Sequence, residues 1–130
     1  MNYTKYLLIL ILPLLFSACS KEEDRGIGPV KEVNLGEINQ TMVQEGQELF
    51  QKKCSTCHRI DQKLIGSALK GITGRRTPEW IMNMILNPDG MINENKAAGE
   101  LFEKYKVRMA PGSVSEQDAR KILEYLRTQN

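Results

Sequence analysis

Residues 54–58 read CSTCH, and His58 is the only histidine among 130 residues. Two cysteines three apart with a histidine directly after them admit three chemistries: a redox dithiol, a metal clip, or the covalent anchor of a haem. Each demands a different surrounding chain. A thioredoxin-like pair starts a helix within a βαβ pattern, where the helix dipole lowers a thiol pKa. A structural zinc site needs four nitrogen or sulfur ligands. A haem anchor uses both thiols and the histidine at once.

The start of the chain sets the compartment. Lys5 gives a short positive n-region, Tyr6 to Phe16 form an apolar run of 11 residues, and Ser17 and Ala18 precede Cys19. Such a run is too short for a membrane-spanning helix and right for a secretory h-region. The stretch FSAC resembles a bacterial lipobox, with Phe16 where leucine is commoner. The resemblance implies a lipoprotein signal peptide over residues 1–18, cleavage before Cys19 and lipid on its sulfur; an uncleaved anchor or an ordinary signal peptide cut near Ala18 are the alternatives. Acyl chains would hold the protein on a bacterial membrane without a transmembrane helix, facing the periplasm, with outer-membrane or surface exposure open. Residues 19–40 are polar, with Gly26, Gly28, Pro29 and Gly36, and read as a flexible tether. Its root-mean-square reach is about 25 Å, and about 65 Å when pulled straight.

Residues 41–130 carry helical signals and no alternating strand pattern, so the expected fold is a small all-α domain. Val43, Leu49 and Phe50 share a helix face leading into Cys54. TPEWIMNMILNP is a punctuated helix, with Thr77 as cap, Pro78 in the first turn, Glu79 at the positive end of the dipole, and Asn87 before Pro88 as its limit. A third helix is expected over about Lys96–Lys106. A fourth follows Ser115, where Ser115 and Asp118 form a near capping box. Asp89-Gly90 reads as a break between helices. Four helices make a thin core, which a bound cofactor would fill. Net charge is +2, too small to point to nucleic acid.

In this context the three chemistries separate. No strands surround CSTCH, and it lies near a helix end, not a start. With Cys19 lipidated, only Cys54, Cys57 and His58 remain as zinc ligands, one short of a set. Two buried cysteines beside a surface histidine would leave His58 without a role, and exported cysteines three apart would oxidise. Covalent haem attachment accounts for all three residues: the thiols of Cys54 and Cys57 add to the two vinyl groups, and His58 reaches the iron.

The chain then resembles the class I, mono-haem c-type cytochromes over about residues 42–130, through GQELFQKKCSTCHRI, IGSALKGITGRR, EWIMNMILNP and RMAPGSVSEQDARKILEYL in that order. The resemblance implies a helical domain wrapped around one covalent haem c. It implies a close crossing of the first and last helices, with Gly46 and Phe50 on one and Ile122, Tyr125 and Leu126 on the other; a merely tolerated helix glycine is the alternative for Gly46. GSALKG matches the family's Gly-Pro-x-Leu-x-Gly, whose proline carbonyl accepts a hydrogen bond from the ligating histidine. Ser67 replaces that proline but keeps a carbonyl to offer.

For the sixth ligand, no second histidine exists. Met1 leaves with the signal, Met42 precedes the motif, and Met82 and Met84 lie in the Trp80 helix, where core packing is the better expectation. Met91 and Met109 remain. The family's ligand sits in a loop before the last helix, which favours Met109, 51 residues after His58 with Pro111 two positions on; Met91 or an open iron stays as the alternative. Trp80 and Arg75 are candidate donors to the haem propionates, with core packing for Trp80 and a solvated surface for Arg75 as the plainer readings.

These features imply an electron carrier, not an enzyme: a tethered haem exchanging one electron with redox partner proteins, a terminal reductase or oxidase among the candidates. The alternative is a haem sensor or peroxidase-like enzyme with a labile sixth ligand. Seven basic residues (Lys52, Lys53, Arg59, Lys63, Lys70, Arg75, Arg76) against Asp61 would steer an acidic partner, unless they are spread as a solvated surface.

Overall fold

The computed structural model describes residues 23–130, so the expected signal peptide and Cys19 lie outside the described residues. The elements are α1 (Gln40–Lys53), a 3₁₀ turn (Ile72–Gly74), α2 (Pro78–Leu86), α3 (Pro88–Glu94), α4 (Lys96–Tyr105) and α5 (Glu116–Arg127). No strand occurs among the described residues, as the all-α expectation requires.

Caps set the helix starts where the sequence placed them. The Thr77 hydroxyl accepts from the Trp80 amide, with Pro78 in the first turn. Ser115 and Asp118 form a complete capping box on α5. The reading of Asp89-Gly90 as a break is corrected: both lie inside α3, which Pro88 opens directly after α2 closes. Proline stops one helix and is pre-organised for the first position of the next. Asn87, at φ −140° and ψ 57°, is the single-residue joint between the two.

Helices α1 and α5 form the crossing that frames the domain. At Gly46 a β-carbon would stand 2.0 Å from the Lys121 carbonyl oxygen, so α5 backbone occupies the space of a missing side chain. One turn on, Phe50 and Tyr125 pack with ring centroids 5.4 Å apart at 49°. Ile122, Leu123 and Leu126 complete the buried seam with Ala119.

The segment expected as a free tether is, from Asp24 to Asn39, a strap laid across α2 and α5. Its main chain is gripped by side chains. Asn83 accepts from the Val30 amide at 3.0 Å and donates to the Val30 and Arg25 carbonyls at 2.9 and 3.0 Å. Glu79 accepts from the Val33 amide at 2.7 Å, and Asn87 donates to the Ile27 carbonyl at 3.1 Å. On α5, Arg127 donates to the Gly36 carbonyl at 2.8 Å and Glu124 accepts from the Asn39 amide at 2.9 Å. Val30 is buried beneath. Glu79, Asn83 and Asn87 recur every fourth residue, so one stripe of an otherwise apolar helix serves as a rack for extended backbone.

Glu124 is fully buried and accepts from Arg120, Arg127 and the Asn39 amide. Burial pushes its pKa up, but hydrogen bonds from Arg120, Asn39 and Arg127 outweigh it and hold the carboxyl below its ordinary 4.5. A depressed carboxylate stabilises the fold above the unfolded value, and that contribution fades as pH falls through the folded pKa. Thermal stability is therefore expected to drop as pH falls below about 4.5. Glu124→Gln should flatten that acid slope while costing about 3 kcal/mol near neutrality, because it leaves two arginines short of their partner. Melting temperatures of wild type and variant across pH 3–7 check both; equal acid slopes would remove Glu124 from the account.

Candidate haem site

The last turn of α1 runs on into the CSTCH loop. The amides of Cys54 and Ser55 both reach the Phe50 carbonyl, at 2.8 and 2.9 Å, and those of Cys57 and His58 both reach the Cys54 carbonyl, at 3.1 and 2.9 Å. This helical winding brings residues three and four apart to one side, which is why Cys54, Cys57 and His58 can serve one ligand. The Gly66 amide returns to the Cys57 carbonyl at 2.8 Å and closes the following loop.

That loop carries the contact expected of Ser67. His58 Nδ1 lies 2.8 Å from the Ser67 carbonyl oxygen. A carbonyl only accepts, so Nδ1 carries the proton and Nε2 keeps its lone pair for a metal. Gly66 makes the approach possible, since a β-carbon there would stand 2.5 Å from the imidazole Cε1. Loss of the proline has not cost the hydrogen bond.

Cys54, Cys57, His58 and Met109 all line one apolar crevice of about 220 Å³. Leu69, Ile81, Ile85, Leu101 and Phe102 supply much of the rest of its wall. Met109 is half-buried and packs against the core from the loop between α4 and α5. Lys53 Nζ donates to the Ser113 carbonyl at 2.9 Å, and Arg108 pairs with Asp89 at 2.7 Å, pinning that loop on both sides of Met109. Met91 does not line the crevice. It is fully buried elsewhere, with its sulfur accepting the Ile27 amide at 2.9 Å. Met84, read as core, has an edge on the crevice from within α2.

Two expected donors are placed differently. The Trp80 ring lines the crevice, but its indole N–H donates to Asn95 Oδ1 at 3.1 Å, and Arg76 stacks over the ring at 4.9 Å. Its hydrogen bond is therefore spent on the fold, and the packing reading holds. Arg75 does not line the crevice; its guanidinium donates to the Lys70 carbonyl at 2.6 Å. Asn95 went unnoticed in the sequence. It caps α4, meets the indole, and donates to Asp24 at 2.8 Å.

The other chemistries of CSTCH find no support. Burial pushes the Cys54 thiol up to about 11, more than the nearby Lys53 lowers it, which is the wrong direction for a reactive thiolate. No group of three or more His, Cys, Asp or Glu side chains able to hold a metal ion occurs among the described residues. An apolar cleft bearing two thiols and an imidazole with a free Nε2 fits a covalently held haem.

Known proteins agree. The cytochrome c family matches residues 43–130. The fold superposes on cytochrome c from Rhodothermus marinus with a TM-score of 0.76 and 47% identity, covering 78% of this chain and 88% of that one. Cytochrome c-551 of Azotobacter vinelandii is 31% identical over 84 residues, 64% of this chain and 95% of that protein. Cytochrome c2 of Rhodopseudomonas palustris is 50% identical, but over 32 residues only, 27% of its length. The chain belongs to the cytochrome c family. It is a small c-type cytochrome, an electron-carrier class, with one covalent haem c.

Proposed function

We propose that the chain is a one-electron carrier of the bacterial cell envelope, held at a membrane by lipid on Cys19. In this reading Cys54 and Cys57 would hold the haem by thioether bonds, and His58 Nε2 and Met109 Sδ would bind its iron. The haem supplies a one-electron iron couple. The chain's part would be to supply His58 and Met109 to the iron, exclude water with an apolar crevice, and hold both side chains in place. The observation that carries the reading is the 2.8 Å contact of His58 Nδ1 with the Ser67 carbonyl, which leaves Nε2 free to ligate. A neutral methionine donor raises the reduction potential relative to stronger donors, which suits a carrier.

The test is spectroscopic. The purified exported protein should show a low-spin c-type spectrum, and its reduced form should not bind carbon monoxide. Absence of a haem spectrum, or ready carbon monoxide binding, refutes the carrier reading.

The partner is expected to be an acidic redox protein. Lys52 and Lys70 are tied in exposed ion pairs to Glu48 and Asp61, while Arg59, Lys63 and Arg75 are exposed and have no ion-pair partner among the described residues. Electron-transfer rates to such a partner should fall about tenfold or more between low and near-molar salt. A salt-independent second-order rate in stopped flow would assign these residues to ordinary solvated surface.

A further inference from the structure

The strap changes what a lipid on Cys19 can do. Asp24 is where the described chain becomes fixed: its carbonyl accepts from the Thr77 hydroxyl at 2.7 Å, and its carboxylate accepts from Asn95 at 2.8 Å. Asn95 in turn accepts from the Trp80 indole, whose ring is a wall of the crevice. The point where the anchor leaves the domain is thus two hydrogen bonds from the haem site.

We propose that the strap shortens the leash to the four residues between Cys19 and Asp24, so that the domain is held with its Trp80–Asn95 pole against the membrane and serves a redox partner embedded in that same membrane. The inference rests on the lipid and haem readings above. The five Cα-to-Cα steps from Cys19 to Asp24 reach at most about 17 Å. A domain of this length has a radius of gyration of about 13 Å, hence a diameter of about 30 Å. A leash shorter than the domain cannot pass around it, so the exit pole stays turned to the bilayer. A partner whose docking site lies near the bilayer surface meets the crevice at high effective concentration, and one standing far above it is out of reach.

The experiment uses the full lipidated holoprotein in phosphatidylethanolamine–phosphatidylglycerol vesicles with a headgroup fluorophore, which the haem quenches by energy transfer. About twenty Gly/Ser residues are inserted at one of two places: between Ser20 and Lys21, ahead of the strap, or after exposed Gly36, beyond the Asn83 and Glu79 clamps. The first insertion lengthens the leash from a root-mean-square reach of about 12 Å to about 27 Å and should cut quenching by about half or more. The second should leave quenching unchanged, because the chain is already fixed upstream of it. Two insertions that act alike, whether both lower quenching or neither does, overturn the short leash while leaving the anchor in place. A wild-type chain that does not float with the vesicles overturns the anchor itself, and this proposal with it.

Discussion

The Met109→Ala holoprotein is expected to bind carbon monoxide when reduced, to lose its low-spin six-coordinate spectrum, and to show a reduction potential lower by on the order of 0.1 V or more, a fraction of the ≈0.8 V that axial ligands span. Three methionines compete for the role on structural grounds, and their settings differ. Met91 is sealed in the core with its sulfur engaged by the Ile27 amide, so ligation would mean dismantling the strap's first clamp. Met84 touches the crevice, but it is held on α2 among Trp80, Ile81 and Ile85, where its backbone cannot advance without the whole helix. Met109 stands on a loop between two residues with left-handed backbone, Lys106 at φ 56° and Gly112 at φ 71°, and that loop is tied down at Arg108 and Ser113. A ligand needs this combination: freedom to reach the iron, and a fixed loop so that little ordering is left to do. Met84→Leu and Met91→Leu are the controls, and both should keep the wild-type spectrum. If Met109→Ala remains six-coordinate and inert to carbon monoxide, the ligand is elsewhere. If the wild type already binds carbon monoxide, the sensor or peroxidase-like alternative takes precedence.

Much of this site could be read along the chain because its chemistry is local. Cys54, Cys57 and His58 lie within one and a half helical turns, and Ser67 closes the loop that follows, so spacing carries the geometry. The capping residues Thr77 and Ser115 are local in the same sense. What escaped was set by partners distant in sequence. Nothing near residue 30 announces that Asn83 will grip its backbone, since a main-chain amide looks the same whatever residue bears it. The available signal lay on the other partner: Glu79, Asn83 and Asn87 form a polar stripe of period four in a helix otherwise made of Trp, Ile, Met and Leu. Buried polar side chains at such a period require partners, and extended backbone supplies them. The misplacement of the Trp80 N–H has a similar cause. A donor suited to a propionate is equally suited to Asn95, 15 residues away, and only the fold decides between them. The missed helix α3 came from treating Pro88 as a stop alone.

A large stability loss should come from Gly46→Ala, the smallest change available at the α1–α5 crossing. In an exposed helix that substitution gains about 1 kcal/mol of propensity. Here the new methyl would sit 2.0 Å from the Lys121 carbonyl oxygen, 2.6 Å from its carbon and 3.1 Å from Tyr125 Cβ. The first two are helix backbone and cannot rotate aside, so α5 has to move away as a unit. Separation opens the Phe50–Tyr125 contact and the seam of Ile122 and Leu126 behind it. The net cost is expected to be about 3 kcal/mol, at the upper end of overpacking penalties. For a domain of about 100 residues this lowers the melting temperature by about 15 °C. Gly74→Ala is the control, because nothing lies within 4 Å of its added carbon and its φ is not positive, so it should stay within about 0.5 kcal/mol of wild type. A melting temperature for Gly46→Ala within about 3 °C of wild type would restore the view of Gly46 as a tolerated helix glycine. The spectrum should respond as well as the stability. Cys54 caps α1 and His58 hangs from the Cys54 carbonyl, so a displaced α1 carries its haem-facing residues with it. A loss of stability with the wild-type spectrum intact would mean that α5 gives way alone, and that CSTCH is held by its own loop, not by the crossing.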